Sequence, residues 1–127
     1  MTKWFLKMAA PALLTLFCLS TTWAEGPPPK TDQLLSTGTT LFTNSCAPCH
    51  GIQGDGQGPM AKVLDPPAQD FTRPFQEWAV SAGDPRTIFE IIQNGIPETA
   101  MPGFKMPEED IWALVYTAME FSRKNGD

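Results

Sequence analysis

Apolar residues recur three or four positions apart in three stretches of this chain, and each stretch carries its own start and stop signals. In the first, Leu34, Leu35, Gly38, Leu41 and Phe42 share one face of a helix, with Thr31 or Asp32 placed to cap its N-terminus. Gly38 weakens such a helix by about 1 kcal/mol relative to alanine, so a close crossing by another helix would give it a purpose; a solvent-facing glycine is the plain alternative. The second stretch opens with Asp84 as N-cap and Pro85 at the first helical position, continues through Ile88, Phe89, Ile91 and Ile92, and stops at Gly95. The third starts at Pro107 and places Glu108, Glu109 and Asp110 in the favourable field of a helix N-terminus. It then runs through Ile111, Leu114, Val115, Ala118 and Met119 on one face and closes at Arg123, Lys124 and Gly126. Between Gly51 and Asp84 the pattern breaks: glycines and prolines, among them Pro66, Pro67 and Pro74, leave room only for a short helix near Met60 to Leu64. With no strand pattern before Cys46 and no internal repeat, the chain reads as an all-α domain of three main helices joined by Gly/Pro-rich loops.

The first residues follow a different logic. Lys3 and Lys7 precede an apolar run from Met8 to Leu19, and Thr22-Trp23-Ala24 ends the segment with a small-residue cleavage pattern. Residues 1–24 therefore read as a cleaved export signal of the Sec type, which places the mature protein in the periplasm, beginning at Glu25. The run is short for a bilayer span and contains Pro11, so a retained anchor is the weaker alternative. Cys18 lies within it behind the bulky Phe17, which suits a hydrophobic filler better than a lipidation site. Residues 25–32, with Pro27, Pro28 and Pro29, form a stiff extended leader, and the domain occupies 33–127.

Charge narrows the partners. The chain carries 14 acidic and 9 basic residues, and Lys3 and Lys7 leave with the signal. The mature part is thus more acidic than the formal −5 of the whole, which disfavours nucleic acid and anionic lipid and suits partners with basic docking patches. A solvated acidic surface is the bland alternative.

The chemistry sits in Cys46-Ala47-Pro48-Cys49-His50. Two thiols three positions apart, followed directly by an imidazole, are what covalent c-type haem attachment requires: each thiol adds across one haem vinyl, and His50 is held under the iron. Two alternatives use the same residues. A redox dithiol wants a helix after the first thiol to lower its pKa, but four glycines and a proline between Gly51 and Pro59 argue against one. A zinc site wants four ligands, and the chain has three cysteines and one histidine. Because His50 is the only histidine, a second imidazole from the same chain cannot complete the iron. A thioether, a lysine such as Lys105, water or an open site remains. Met119 falls on the apolar face of the last helix, and Met60 lies close behind His50. Met101 lies in an interhelical loop followed by Pro102 and Gly103, where sulfur can be presented free of helical constraint; Met106 is its nearest competitor.

From Gln33 to Arg123 the chain resembles class I monohaem cytochromes c of the bacterial type. The likeness is carried by Gly38, Phe42, Cys46 to Gly51, Gly58-Pro59, Gly95, Met101-Pro102, Phe104 and Ile111 to Val115. It implies a small cytochrome c fold wrapped around one haem, bound by Cys46, Cys49, His50 and Met101, with His50 and Met101 on the iron. It further implies that the Pro59 carbonyl accepts the Nδ1 proton of His50, and that Gly38 and Phe42 lie where the first and last helices cross. One departure is visible: Tyr116 arrives one position early, and Thr117 occupies the place where the family often carries tyrosine. Trp78 and Trp112 are candidates for the haem edge, Trp78 as a donor to a propionate. The implied function is electron transfer between redox proteins, without substrate turnover. A subunit of a larger dehydrogenase or reductase is an alternative, as is a gas sensor or peroxidase should the Met101 loop detach.

Overall fold

A computed structural model describes residues 26–126, so the segment expected to be an export signal lies outside the described residues. Four helices, α1 (Asp32–Ser45), α2 (Ala47–His50), α3 (Pro85–Asn94) and α4 (Glu108–Asn125), are joined by loops that contain two 3-10 turns, Ala61–Val63 and Phe75–Glu77. Among the described residues there is no strand, and the fold is a small all-α one.

The caps follow the sequence closely. Thr31, rather than Asp32, caps α1: its Oγ1 accepts from the Leu34 N–H at 3.1 Å. Asp84 caps α3 by accepting from the N–H groups of Arg86 and Thr87, both at 3.1 Å, and Gly95 ends that helix at φ 75°. In α4, Pro107 is the cap residue and the helix proper begins at Glu108. The fourth helix, α2, is a single turn continuing from α1 through the Cys46 N–H to Phe42 carbonyl bond of 2.8 Å. It is too short for a periodicity to reveal.

Helices α1 and α4 cross at Gly38. A Cβ there would run into the Ala113 carbonyl and the Thr117 hydroxyl, so the close approach requires glycine. Thr117 thus meets Gly38 where an aromatic was in question, its hydroxyl turned back onto the Ala113 carbonyl at 2.9 Å. Phe42 stands one turn further on, its ring 5.0 Å from that of Phe121. Five consecutive residues of α4, Ile111 to Val115, are buried, more than a single apolar face provides. The reason is that α4 is covered on several sides: α1 meets Ala113 and Thr117, Phe89 of α3 meets Trp112 at 5.0 Å, and the leader covers Tyr116. Met119, expected in the core, is only half-buried.

Of the expected leader 25–32, residues 26–31 form no regular element and Asp32 already belongs to α1; the segment is fastened to the helices. Tyr116 Oη donates to the Pro28 carbonyl at 2.7 Å, and Lys30 Nζ pairs with Glu120 at 2.6 Å. The early tyrosine in α4 is thus one of two residues of that helix, with Glu120, that hold the leader down.

Candidate functional site

The helices and the long loop enclose a cavity of about 420 Å³, within the range of roughly 300–1,000 Å³ typical of cofactor sites. Cys46, Cys49 and His50 contribute to one part of its wall, Met101 and Phe104 to another, and Leu114 and Ala118 of α4 to a third. Residues 64–81 contribute Leu64, Gln69, Phe71, Trp78 and Ser81, and Phe42 of α1 with Ile88 and Ile92 of α3 line it as well.

The glycine-rich run after the motif braces it from behind. Gly51, at φ 81°, ends α2, and the chain folds back so that the N–H groups of Gly56, Gly58 and Met60 donate to the carbonyls of His50, Cys49 and Pro48 at 2.8, 3.2 and 2.9 Å. These carbonyls at a helix C-terminus would otherwise be unsatisfied. A Cβ on Gly58 would collide with the carbonyls of Ala47 and Pro48, which accounts for glycine at that position.

His50 is held in the ring plane and on one face. Its Nδ1 donates to the Gln69 carbonyl at 3.0 Å, and its ring stacks on Phe71 with centroids 4.6 Å apart. The expected acceptor, the Pro59 carbonyl, is displaced from this role: the Gly58-Pro59-Met60 segment is bonded to the back of α2, and the 66–70 segment reaches the ring instead. Burial pushes the imidazole pKa down, against an opposing effect of the Gln69 carbonyl, so the ring is neutral. With Nδ1 carrying the proton, Nε2 keeps a lone pair for a metal.

Both thiols are free. Burial, reinforced by the neighbouring Cys49, pushes the Cys46 thiol up to about 11, the opposite of what a dithiol nucleophile needs. Among the described residues no group of three or more His, Cys, Asp or Glu side chains is placed to hold a metal ion.

Of the methionines among the described residues, Met101 alone lines the cavity. Met60 is 49% exposed, and Met106 and Met119 pack against the core elsewhere. Among the described residues no lysine, Lys105 included, lines the cavity. The Met101 loop is tied to the end of α3: the Ile96 N–H donates to the Met101 carbonyl at 3.1 Å and the Phe104 N–H to the Ile92 carbonyl at 2.8 Å, while the Thr99 hydroxyl accepts from the Met101 N–H at 3.2 Å.

The tryptophans divide. Trp78 is buried in the cavity wall, but its Nε1–H donates to the Arg73 carbonyl at 3.1 Å. The proposed donor to a propionate is therefore already engaged with the backbone. Trp112 stands outside the cavity, between Phe89 and Tyr116, with the Arg86 guanidinium 5.1 Å above its ring. Gln69, Phe71 and Ser81 were not singled out by the sequence, because they lie in irregular chain where no periodicity marks an inward position. Ser81 Oγ is the one buried side-chain polar atom among the described residues without a hydrogen-bond partner, and Ser81 belongs to the cavity wall. An orphaned hydroxyl is costly, and a polar group on an occupant would relieve it. Two thiols, an Nδ1-protonated imidazole, a thioether and an unpaired hydroxyl around one apolar cavity form a set that fits a haem.

Comparison with known proteins agrees. Residues 33–116 match the protein family described as cytochrome c oxidase, cbb3-type, subunit III. Among solved structures, the chain is similar in fold to a chain of the reducing HAO-like protein complex of Kuenenia stuttgartiensis, with a TM-score of 0.66 and 23% identity over 76% of this chain and 47% of that one. This protein thus spans about half the length of that chain. No curated protein matches it.

Proposed function

The chain belongs to the family described as cytochrome c oxidase, cbb3-type, subunit III, a family of c-type cytochrome domains, and on that premise we propose that it carries one haem, covalently held by Cys46 and Cys49, with His50 and Met101 on the iron. As a cytochrome c domain it is an electron carrier. The observation that supports this ligand set is the convergence of the Cys46, Cys49 and His50 motif with Met101, distant in sequence, on one apolar cavity.

Bound haem supplies one-electron chemistry at iron, and the residues set its terms. Cys46 and Cys49 would hold the group by thioethers, each thiol adding its sulfur and its proton across one vinyl, an addition that would need no oxidant. His50, fixed through Nδ1, offers Nε2 in a defined ring plane. The Met101 thioether favours ferrous iron and a potential above that of a bis-histidine site. Phe42, Phe71, Trp78, Leu114 and Ala118 keep water from the iron, which raises the cost of the extra charge on oxidation.

We place the mature protein in the periplasm, exported by residues 1–24 and exchanging electrons with proteins that present basic patches to its acidic surface. A permanently docked subunit of a larger oxidoreductase is the second reading, favoured by the family's own description. Among the described residues no helix is long and apolar enough to cross a membrane. N-terminal sequencing of the mature protein checks cleavage after Ala24, and co-purification after mild extraction separates carrier from subunit.

The deciding experiment is an optical spectrum of the protein matured with haem-attachment machinery. A far-red sulfur-to-ferric-iron band that disappears in Met101→Ala supports the ligand set. A band that survives moves the assignment to Met106, and the absence of covalent haem overturns the proposal.

A further inference from the structure

We infer that Gln69 is the positioning residue of the His50 imidazole, acting through a side-chain latch that holds its own carbonyl against Nδ1. The inference rests on the haem reading above and adds to it the loop that orients the proximal ligand.

A carbonyl in irregular chain orients a ring only if the chain around it is fixed. Here no helix or strand fixes it: residues 64–74 contain no regular element. Side chains and two turns perform the task. Gln69 Nε2 donates to the Asp70 carbonyl at 2.7 Å, and Gln69 Oε1 accepts from the Ala79 N–H at 3.1 Å, so one amide joins the segment to the far end of the same loop. Asp70 Oδ1 accepts from the N–H and hydroxyl of Thr72 at 2.9 and 2.6 Å. The Phe71 N–H donates to the Gly54 carbonyl at 2.6 Å, which ties the segment to the glycine-rich run beside the motif. Residues 69–71 then present two surfaces to the imidazole, the Gln69 carbonyl in its plane and the Phe71 ring across its face.

Gln69 is the only member of this arrangement whose side chain spans the loop. Leucine in its place keeps the size and the backbone carbonyl but removes both amide bonds, leaving the carbonyl unlatched. A weakened acceptor at Nδ1 makes the imidazole a poorer donor to iron, so the ferric state is less favoured and the midpoint potential rises.

The test uses the haem-loaded ferrous protein, which is diamagnetic and gives sharp proton resonances. In the wild type, the His50 Hδ1 resonance is expected to show nuclear Overhauser contacts to Gln69 Hα and the Asp70 amide. In Gln69→Leu its exchange with solvent is expected to accelerate by several-fold to about tenfold, the scale of losing a hydrogen bond, with a higher potential. Gln69→Glu, which keeps the acceptor for the Ala79 N–H, is expected to lie between. Contacts from Hδ1 to Pro59 instead of Gln69 overturn the inference, as does unchanged exchange and potential in Gln69→Leu. Should Gln69→Leu fail to fold, the wild-type contacts decide the carbonyl and Gln69→Glu decides the latch, unchanged exchange and potential in that variant overturning it. The outcomes stay separable: the optical spectrum judges the haem ligands, and the Hδ1 contacts judge Gln69.

Discussion

Gly38 and Ala113 touch backbone to backbone where α1 crosses α4, with the Thr117 hydroxyl filling the remaining space. The contact has no room for a methyl group, and the obstacle is a helix carbonyl rather than a side chain that could turn away. Gly38→Ala gains intrinsic helix propensity of about 1 kcal/mol and still loses overall, because separating two packed helices costs about 1–3 kcal/mol or more. We expect a lower Tm, at about 4–8 °C for each kcal/mol of net loss in a domain of this size. A thermal melt of the variant matching or exceeding the wild type would show that the helices can part without cost.

Trp78→Phe separates two roles for the indole. Its ring fills the cavity wall between Phe71 and Phe75, at 4.8 and 4.9 Å, and phenylalanine retains much of that. Its N–H serves the Arg73 carbonyl, a bond of about 0.5–1.5 kcal/mol. The variant should lose stability of that order in urea unfolding while its midpoint potential stays put. A displaced potential with unchanged stability would return the N–H to the haem.

How much of this was legible in advance depends on whether a local rule governed the residue. Asp84, Pro85 and Gly95 marked α3 because caps act within one turn. Gly38 signalled a crossing because its cost in a helix needs a compensating contact. The motif and the Met101 loop stood out because thioether attachment and iron ligation would constrain residue type and spacing, and the fold brings both to one cavity. The Nδ1 acceptor was not, since any carbonyl in the chain satisfies it, and only the three-dimensional course of residues 58–70 distinguishes Pro59 from Gln69. Tyr116 was visible as a departure but not as the leader's anchor, because its partner is a backbone atom 88 positions away.

That anchor is testable. Tyr116→Phe removes one hydrogen bond to the Pro28 carbonyl and leaves the ring beside Trp112. The expected loss is about 0.5–1.5 kcal/mol, with faster amide exchange for residues around Lys30. Exchange that does not change would mean that Lys30 alone fastens the leader.

Asp84→Ala removes the α3 cap, which serves two backbone N–H groups and the Thr87 hydroxyl. A loss of about 0.5–2 kcal/mol is expected. Since α3 carries one anchor point of the Met101 loop at Ile92, and Ile96 just past its end supplies the other, the variant should also weaken the far-red band expected of a thioether ligand on warming before global unfolding. A band that persists to the melting point would uncouple the loop from the helix.

The leader's second fastening gives a pH dependence with a defined sign. Glu120 faces Arg123 and Lys30, at 2.8 and 2.6 Å, and their hydrogen bonds, Arg123 first, hold its carboxyl at about 2 against an ordinary 4.5. A depressed carboxylate pKa contributes stability that is complete above the unfolded value and is lost as pH falls from about 4.5 through about 2. The partner side chains are 45% and 62% exposed, so solvent screening limits each pair to about 0–1 kcal/mol. Wild type should therefore exceed Glu120→Gln by a constant margin at neutral pH, a margin that shrinks once the solution is acidified below about 4.5 and that salt also reduces. Parallel melts of the two proteins between pH 7 and pH 3, at roughly 0.01 and 1 M salt, give the comparison. A margin that widens on acidification would require Glu120 to be stabilised by its protonated form, contrary to the two cations placed against it.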